Sequence, residues 1–134
     1  MKFRIIILIL VSISCKTPVE LSKSDCIKKL KSELIINWKF NIDSAYYQAS
    51  DDFLQRIDTN YKFCLYNFSK DSVISILGKP TGGRSNSFEY LVSKPCAKLT
   101  KPGMTKCTYL RFYVDGNNNV SNAKVSYTVG TGQK

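Results

Sequence analysis

The run TYLRFYVDGNNNVSNAKVSYTV, Thr108 to Val129, constrains the fold more than any other part of this chain. Leu110, Phe112 and Val114 alternate with Tyr109, Arg111 and Tyr113, and Val125, Tyr127 and Val129 alternate on the return. A period of two places each set on one face of a strand. Between the two runs, Asp115–Asn119 (DGNNN) supplies glycine and asparagine, which tolerate positive φ, so the strands close as an antiparallel hairpin. Upstream, SFEYLVS offers Phe88, Tyr90 and Val92 on one face. Three such strands form an antiparallel meander, one face of which needs an apolar cover.

Helical patterns precede the strands and can supply that cover. Ser22 or Ser24 can cap a first helix by accepting from its unpaired amides, and Asp25 suits its positive end. Ile27, Leu30, Leu34 and Trp38 recur at spacings of three and four, which makes one apolar stripe. Lys28, Lys29 and Lys31 lie off the stripe, while Cys26, one turn before Leu30, can reach a second helix. SDDFLQRID begins a short helix at Ser50, with Asp51 and Asp52 in its first turn and Phe53, Leu54 and Ile57 on one side. In NYKFCLYNF, Cys64 stands among Tyr61, Phe63, Leu65 and Phe68 as core. Adjacent helical residues point in different directions, so Asp51 and Asp52 are read as first-turn acids and not as a metal pair.

SILGKPTGG, Ser75 to Gly83, imitates a phosphate-binding loop but lacks what that chemistry needs. A Walker loop runs G-x-x-x-x-G-K-[S/T] from a strand into a helix. Here the upstream glycine is missing, Pro80 separates Lys79 from Thr81, and a helix carrying Val73, Ile74 and Leu77 comes first. Ser69 caps that helix with Asp71 in its first turn, Gly78 ends it, and Pro80 forbids continuation. TGGRSNS is then a polar turn. The fold class is α+β: two to three N-terminal helices packed on a three-stranded antiparallel β-meander, in one domain over residues 22–129, with 130–134 a flexible tail. No internal repeat, heptad or low-complexity tract specifies an oligomeric state.

The N-terminus reads as an export signal over residues 1–14. Lys2 and Arg4 precede the apolar run Ile5–Val11, which has seven residues, against the roughly 20 that a spanning helix needs. VSISC resembles a bacterial lipobox, which makes Cys15 the acylated residue, carrying palmitate-type chains, and 15–21 a tether; cleavage after Ser14 without acylation is the competing reading. Each buried methylene of such chains contributes roughly 0.8 kcal/mol. Lys16 differs from the aspartate that retains lipoproteins at the inner membrane, which points to the outer one.

The cysteine count agrees with export. Five cysteines are odd for a secreted chain, and removing Cys15 leaves Cys26, Cys64, Cys96 and Cys107. These form two disulfides in an oxidising compartment, with three pairings open; the local choice joins Cys96 to Cys107 and leaves Cys26 to Cys64. Each bridge adds roughly 2–4 kcal/mol. There is no CxxC and no histidine, so neither a zinc site nor another metal or cofactor is expected.

The chain carries 20 Lys+Arg against 10 Asp+Glu, a net charge of +10. Losing Lys2 and Arg4 with the leader leaves 18 against 10, or +8. For an exported protein this favours anionic headgroups, acidic glycans or an acidic protein partner over nucleic acid. Histidine, the side chain best suited to proton transfer near neutral pH, is absent. No serine sits in a G-x-S-x-G context. A non-catalytic role follows.

The order helix, LGKPT, three strands resembles the small outer-membrane lipoprotein family called SmpA/OmlA or BamE, and the related β-lactamase-inhibitor-like domains. SKDSVISILGKP is similar to the family's acid-containing helix ending in L-G-x-P, FEYLV to its aromatic strand, and LRFYVDGNNNV to its closing hairpin; together they span about residues 65–128. The resemblance implies an N-terminal helix pair on a three-stranded antiparallel sheet, in exported and often lipid-anchored proteins that act by binding other proteins. The long region before Cys64 and the insert between Cys96 and Cys107 depart from the assembly-machine member.

Two functions follow as expectations. The first is a lipid-anchored binding module of the outer membrane, with a protein partner in the cell envelope. The alternative is a periplasmic inhibitor or immunity protein that blocks an exported enzyme or toxin. In either, the candidate partner-binding residues are Tyr109, Arg111 and Tyr113, exposed types enriched at binding hot spots.

Overall fold

The computed structural model describes the backbone of residues 22–98 and 104–131, and side chains of 22–92 and 106–129. The expected leader, Cys15 and the tether fall outside the described residues.

Local chemistry starts and stops each helix. Helix α1 (Lys23–Asn37) begins at Ser22, whose hydroxyl accepts from the Asp25 amide at 3.3 Å. Its Leu30 and Leu34 are buried, with Ile27 and Trp38 packed at the margin of the core. Helix α2 (Asp51–Arg56) is capped by Ser50, which accepts from Phe53 at 3.2 Å. It continues through one π-type turn (Ile57–Tyr61) into α3 (Lys62–Leu65). Helix α4 (Lys70–Leu77) is capped by Ser69. It ends at Gly78, where φ is +96° and the amide donates to the Ile74 carbonyl at 2.8 Å. The glycine that imitates a phosphate loop is a helix terminus.

The sheet is larger than the sequence suggests. Strands β4 (Ser87–Lys98), β5 (Met104–Val114) and β6 (Val120–Thr131) form the antiparallel meander. Three short strands extend it: β1 (Lys39–Asn41), β2 (Tyr46–Gln48) and β3 (Gly82–Arg84). The order is β1-β2-β4-β5-β6, with β3 also paired to β4. This corrects the expected three-stranded antiparallel sheet to a mixed, six-stranded one, because β2 runs parallel to β4, with Tyr47 opposite Val92. The broad α+β class holds, with three helical segments on one face.

Strands of three residues are too short to show a period, so no local pattern announces those at 39–41 and 46–48. The β1–β2 connection has no glycine; Ala45 takes a φ of 50° instead. Aromatic packing holds the pair in place. Trp38 stacks on Tyr47 with centroids 4.6 Å apart and donates its indole N–H to the Leu77 carbonyl at 2.8 Å. TGGRSNS likewise contains β3 rather than being wholly a turn.

The core lies between the helices and the inner sheet face. Phe88, Tyr90, Val92, Leu110 and Phe112 are buried as their alternation requires, and Phe88 stacks on Phe112 at 5.1 Å. Burying each such side chain contributes about 1.5–3 kcal/mol. Burial pushes the Tyr90 phenol up, and it donates to the Gly78 carbonyl at 2.9 Å. Phe63, expected in the core, is 58% exposed beside Tyr66. Along the inner face of β6, Ala123 is buried and Val125 partly so, but Tyr127 and Val129 are each 56% exposed. The described helices cover the half of the sheet nearest the Asp115–Asn119 turn.

Candidate functional site

All the described helices pack on the inner face, so among the described residues the outer face of the sheet is left to side chains alone. Tyr109, Arg111 and Tyr113 stand in a row on it, each half-buried. Register sets their neighbours: Leu91 and Ser126 flank Tyr109, Glu89 and Lys124 flank Arg111, and Ser87 and Asn122 flank Tyr113. The row predicted from alternation is therefore contiguous in space.

Arg111 is not free within that row. Its Nε and Nη2 both donate to Glu89 Oε2, at 2.7 and 2.6 Å. The hydrogen bond that Arg111 donates to Glu89 raises the already high Arg111 pKa, so the cation is permanent. Lys124 Nζ lies 5.4 Å from the Tyr113 ring centroid. Burial would push the Tyr113 phenol up, but hydrogen bonds and charge from Arg111 and Lys124 outweigh it and hold the phenol below the usual 10. A cavity of about 340 Å³ opens at this end of the face, with Arg84, Glu89, Arg111 and Tyr113 in its wall.

This arrangement suits recognition. It offers two aromatic surfaces, a fixed ion pair, and the cations Arg84 and Lys124, which have no carboxylate partner among the described residues. Glu89 was missed as a partner of Arg111 because the sequence gives strand faces but not the register between strands.

The cysteines come out as follows. Cys26 on α1 is bonded to Cys64 on α3, with Cα atoms 6.1 Å apart. Cys107 is disulfide-bonded too. The backbone pairs Ala97 with Lys106, one residue from Cys96 and Cys107 respectively; the Cys96 side chain lies outside those described.

A second concavity, of about 850 Å³, lies between α1 and the α2–α3 run beside the Cys26–Cys64 bridge, with Lys23, Lys29 and Arg56 at its margin. Under it sits a polar cluster that no local pattern announces. Arg56 Nε pairs with Glu33 at 2.9 Å, and the Tyr61 hydroxyl donates to the same carboxylate. Its members are separated by 23 and 28 residues in sequence, which is why they could not be read together. Among the described residues, no group of three or more His, Cys, Asp or Glu side chains could hold a metal ion. No described helix is long and apolar enough to cross a membrane.

No family model matches this chain, and neither a curated protein nor a solved structure matches it. The likeness to the SmpA/OmlA lipoproteins therefore rests on the sequence motifs alone.

Proposed function

We propose that this protein is an exported, lipid-anchored, non-catalytic binding module of the cell envelope, of the outer-membrane assembly or maintenance type. Its binding face is the outer side of the sheet around Tyr109, Arg111 and Tyr113. The observation that carries this reading is the contiguous Tyr–Arg–Tyr row on the sheet face that no described helix covers. Tyrosine supplies large contact area at low entropic cost, and Glu89 holds Arg111 in one orientation before any partner arrives. Export is supported by the Cys26–Cys64 bridge, since such bonds persist in oxidising compartments. The anchor at Cys15 and the outer-membrane address rest on the sequence of the leader and on Lys16.

Pull-down from detergent-solubilised envelope, with mass spectrometry of the captured proteins and of Cys15, tests the reading. Wild-type protein should carry an acylated Cys15 and retain an envelope partner. The Tyr109→Ala/Tyr113→Ala variant should lose that partner while unfolding at nearly the same temperature. Undiminished capture by the variant would dismiss this face. Capture of one tight soluble enzyme instead would favour the inhibitor alternative.

A further inference from the structure

The sheet has two edges, and they are finished differently. The edge opposite β6 is made by β1 and β3, each three residues long, short enough to offer little to another strand. The β6 edge is twelve residues long, and among the described strands β5 alone pairs with it. At its start the other side is occupied: Val120 donates to the Phe68 carbonyl at 2.8 Å and accepts from the Asn67 amide at 2.9 Å. Beyond that, no described strand lies alongside it. From Asn122 to Thr131 the strand runs in unbroken register with Tyr113 to Met104. Alternate N–H and C=O groups of that stretch consequently point off the sheet.

Proteins usually blunt such edges with proline, bulges, charge or brevity. Here the bulge sits at the start, opposite Tyr113 and Val114. The strand has no proline, and Lys124 is its only charged residue. On the inner face, Tyr127 and Val129 are more than half exposed next to the open edge. Lys106 Nζ lies 3.9 Å from the Tyr127 ring centroid.

Charge indicates the occupant. β5 and β6 carry Lys106, Arg111 and Lys124 and no acidic residue. Glu89 answers Arg111, whereas Lys106 and Lys124 have no carboxylate partner among the described residues. A second copy would bring the same cations and the same excess of positive charge, which opposes pairing β6 with itself.

We propose that the β6 edge receives an extended, acidic segment of a partner protein as an added strand, with apolar residues facing Tyr127 and Val129 and acidic residues facing Lys124. Main-chain hydrogen bonds supply affinity in this mode, and alternate side chains supply selection. The inference rests on the binding-module reading and names the partner's chemistry. The added strand would lie next to the Tyr109–Tyr113 row, separated from it only by β6, so one partner can engage both.

The test uses full-length protein purified in detergent and two synthetic peptides as long as Asn122–Thr131. One alternates valine with glutamate and threonine; the other has lysine for glutamate. The acidic peptide should slow amide exchange at alternate residues of Asn122–Thr131 and bind about tenfold more tightly than the basic one. Lys124→Glu, at an exposed position, should abolish or reverse that preference. Equal binding of both peptides, no protection of β6, or mutual protection of β6 in a concentration-dependent dimer would each overturn the proposal. Envelope capture that depends on Tyr109 and Tyr113, without any protection of β6 by the acidic peptide, would remove the added strand and leave the binding-module reading in place.

Discussion

Tyr47 closes over Gly78 so tightly that a Cβ on Gly78 would stand 2.6 Å from the Tyr47 hydroxyl oxygen. That hydroxyl is fixed by donating to the Lys79 carbonyl at 2.8 Å. The same glycine holds a φ of +96°, a region that side chains with a Cβ avoid. One residue thus ends α4 and lets β2 close on the turn that follows.

Gly78→Ala should therefore destabilise the fold by about 1–3 kcal/mol, seen as a thermal midpoint lowered by roughly 4–8 °C per kcal/mol. Adding Tyr47→Phe removes the clashing oxygen but not the backbone strain. The double variant should cost less than the two single substitutions summed. Strict additivity would show that the two side chains do not meet.

The Cys26–Cys64 bridge spans 38 residues of sequence and ties α1 to α3. Loop-closure entropy assigns a crosslink of that span on the order of 4 kcal/mol. Cys26→Ser/Cys64→Ser should lower the urea midpoint accordingly while leaving the β-sheet signal in circular dichroism intact. Reducing agent should destabilise the wild type and have a much smaller effect on the double variant.

The Glu33–Tyr61 pair sets opposite limbs of the pH profile. The hydrogen bond from Tyr61, helped by Arg56 and opposed by burial, holds Glu33 below its ordinary 4.5. A depressed carboxyl binds protons more readily when unfolded, so its stabilisation is complete above about 4.5 and is lost as the pH falls below it. Tyr61 moves the other way: burial first, then Glu33, push its pKa from 10 to about 12. Its stabilisation is complete below 10 and is lost as the pH rises through 12. Urea midpoints across pH should show Tyr61→Phe flattening both limbs, and Glu33→Gln flattening chiefly the acid one.

The outer face has its own titration. Arg111 and Lys124 hold the Tyr113 phenol below 10, against the effect of burial. Ultraviolet titration of wild type against Tyr113→Phe should isolate a phenol that ionises below 10. Lys124→Gln should move it upward. The Glu89–Arg111 pair is partly exposed, so a double-mutant cycle through Glu89→Gln and Arg111→Gln should give a coupling of about 1 kcal/mol or less.

The element types were legible where the signal is local. Ser22, Ser50 and Ser69 each cap the helix they precede, and Gly78 stops the last one. The alternation of Phe88, Tyr90 and Val92 and of Leu110 and Phe112 gave the buried face of the meander. The same alternation put Tyr109, Arg111 and Tyr113 together on the other face. Phe63 misled because hydrophobicity names a candidate for burial without saying whether anything covers it.

The amino-acid sequence alone determined the serines able to cap the helices, the stop of α4 at Gly78, the strand faces of the meander and the set of cysteines able to bond, because caps, steric φ limits and side-chain periods act within a few residues. It left three cysteine pairings open and was silent on the β1–β2 hairpin, the Glu33–Tyr61–Arg56 cluster and the seizure of Arg111 by Glu89. Only the tertiary structure decided those. Each joins groups through packing that no short window contains: Trp38 on Tyr47, α1 against α3, and β4 in register with β5. Such contacts exist once the core has closed, and the closing is a collective property of the whole chain.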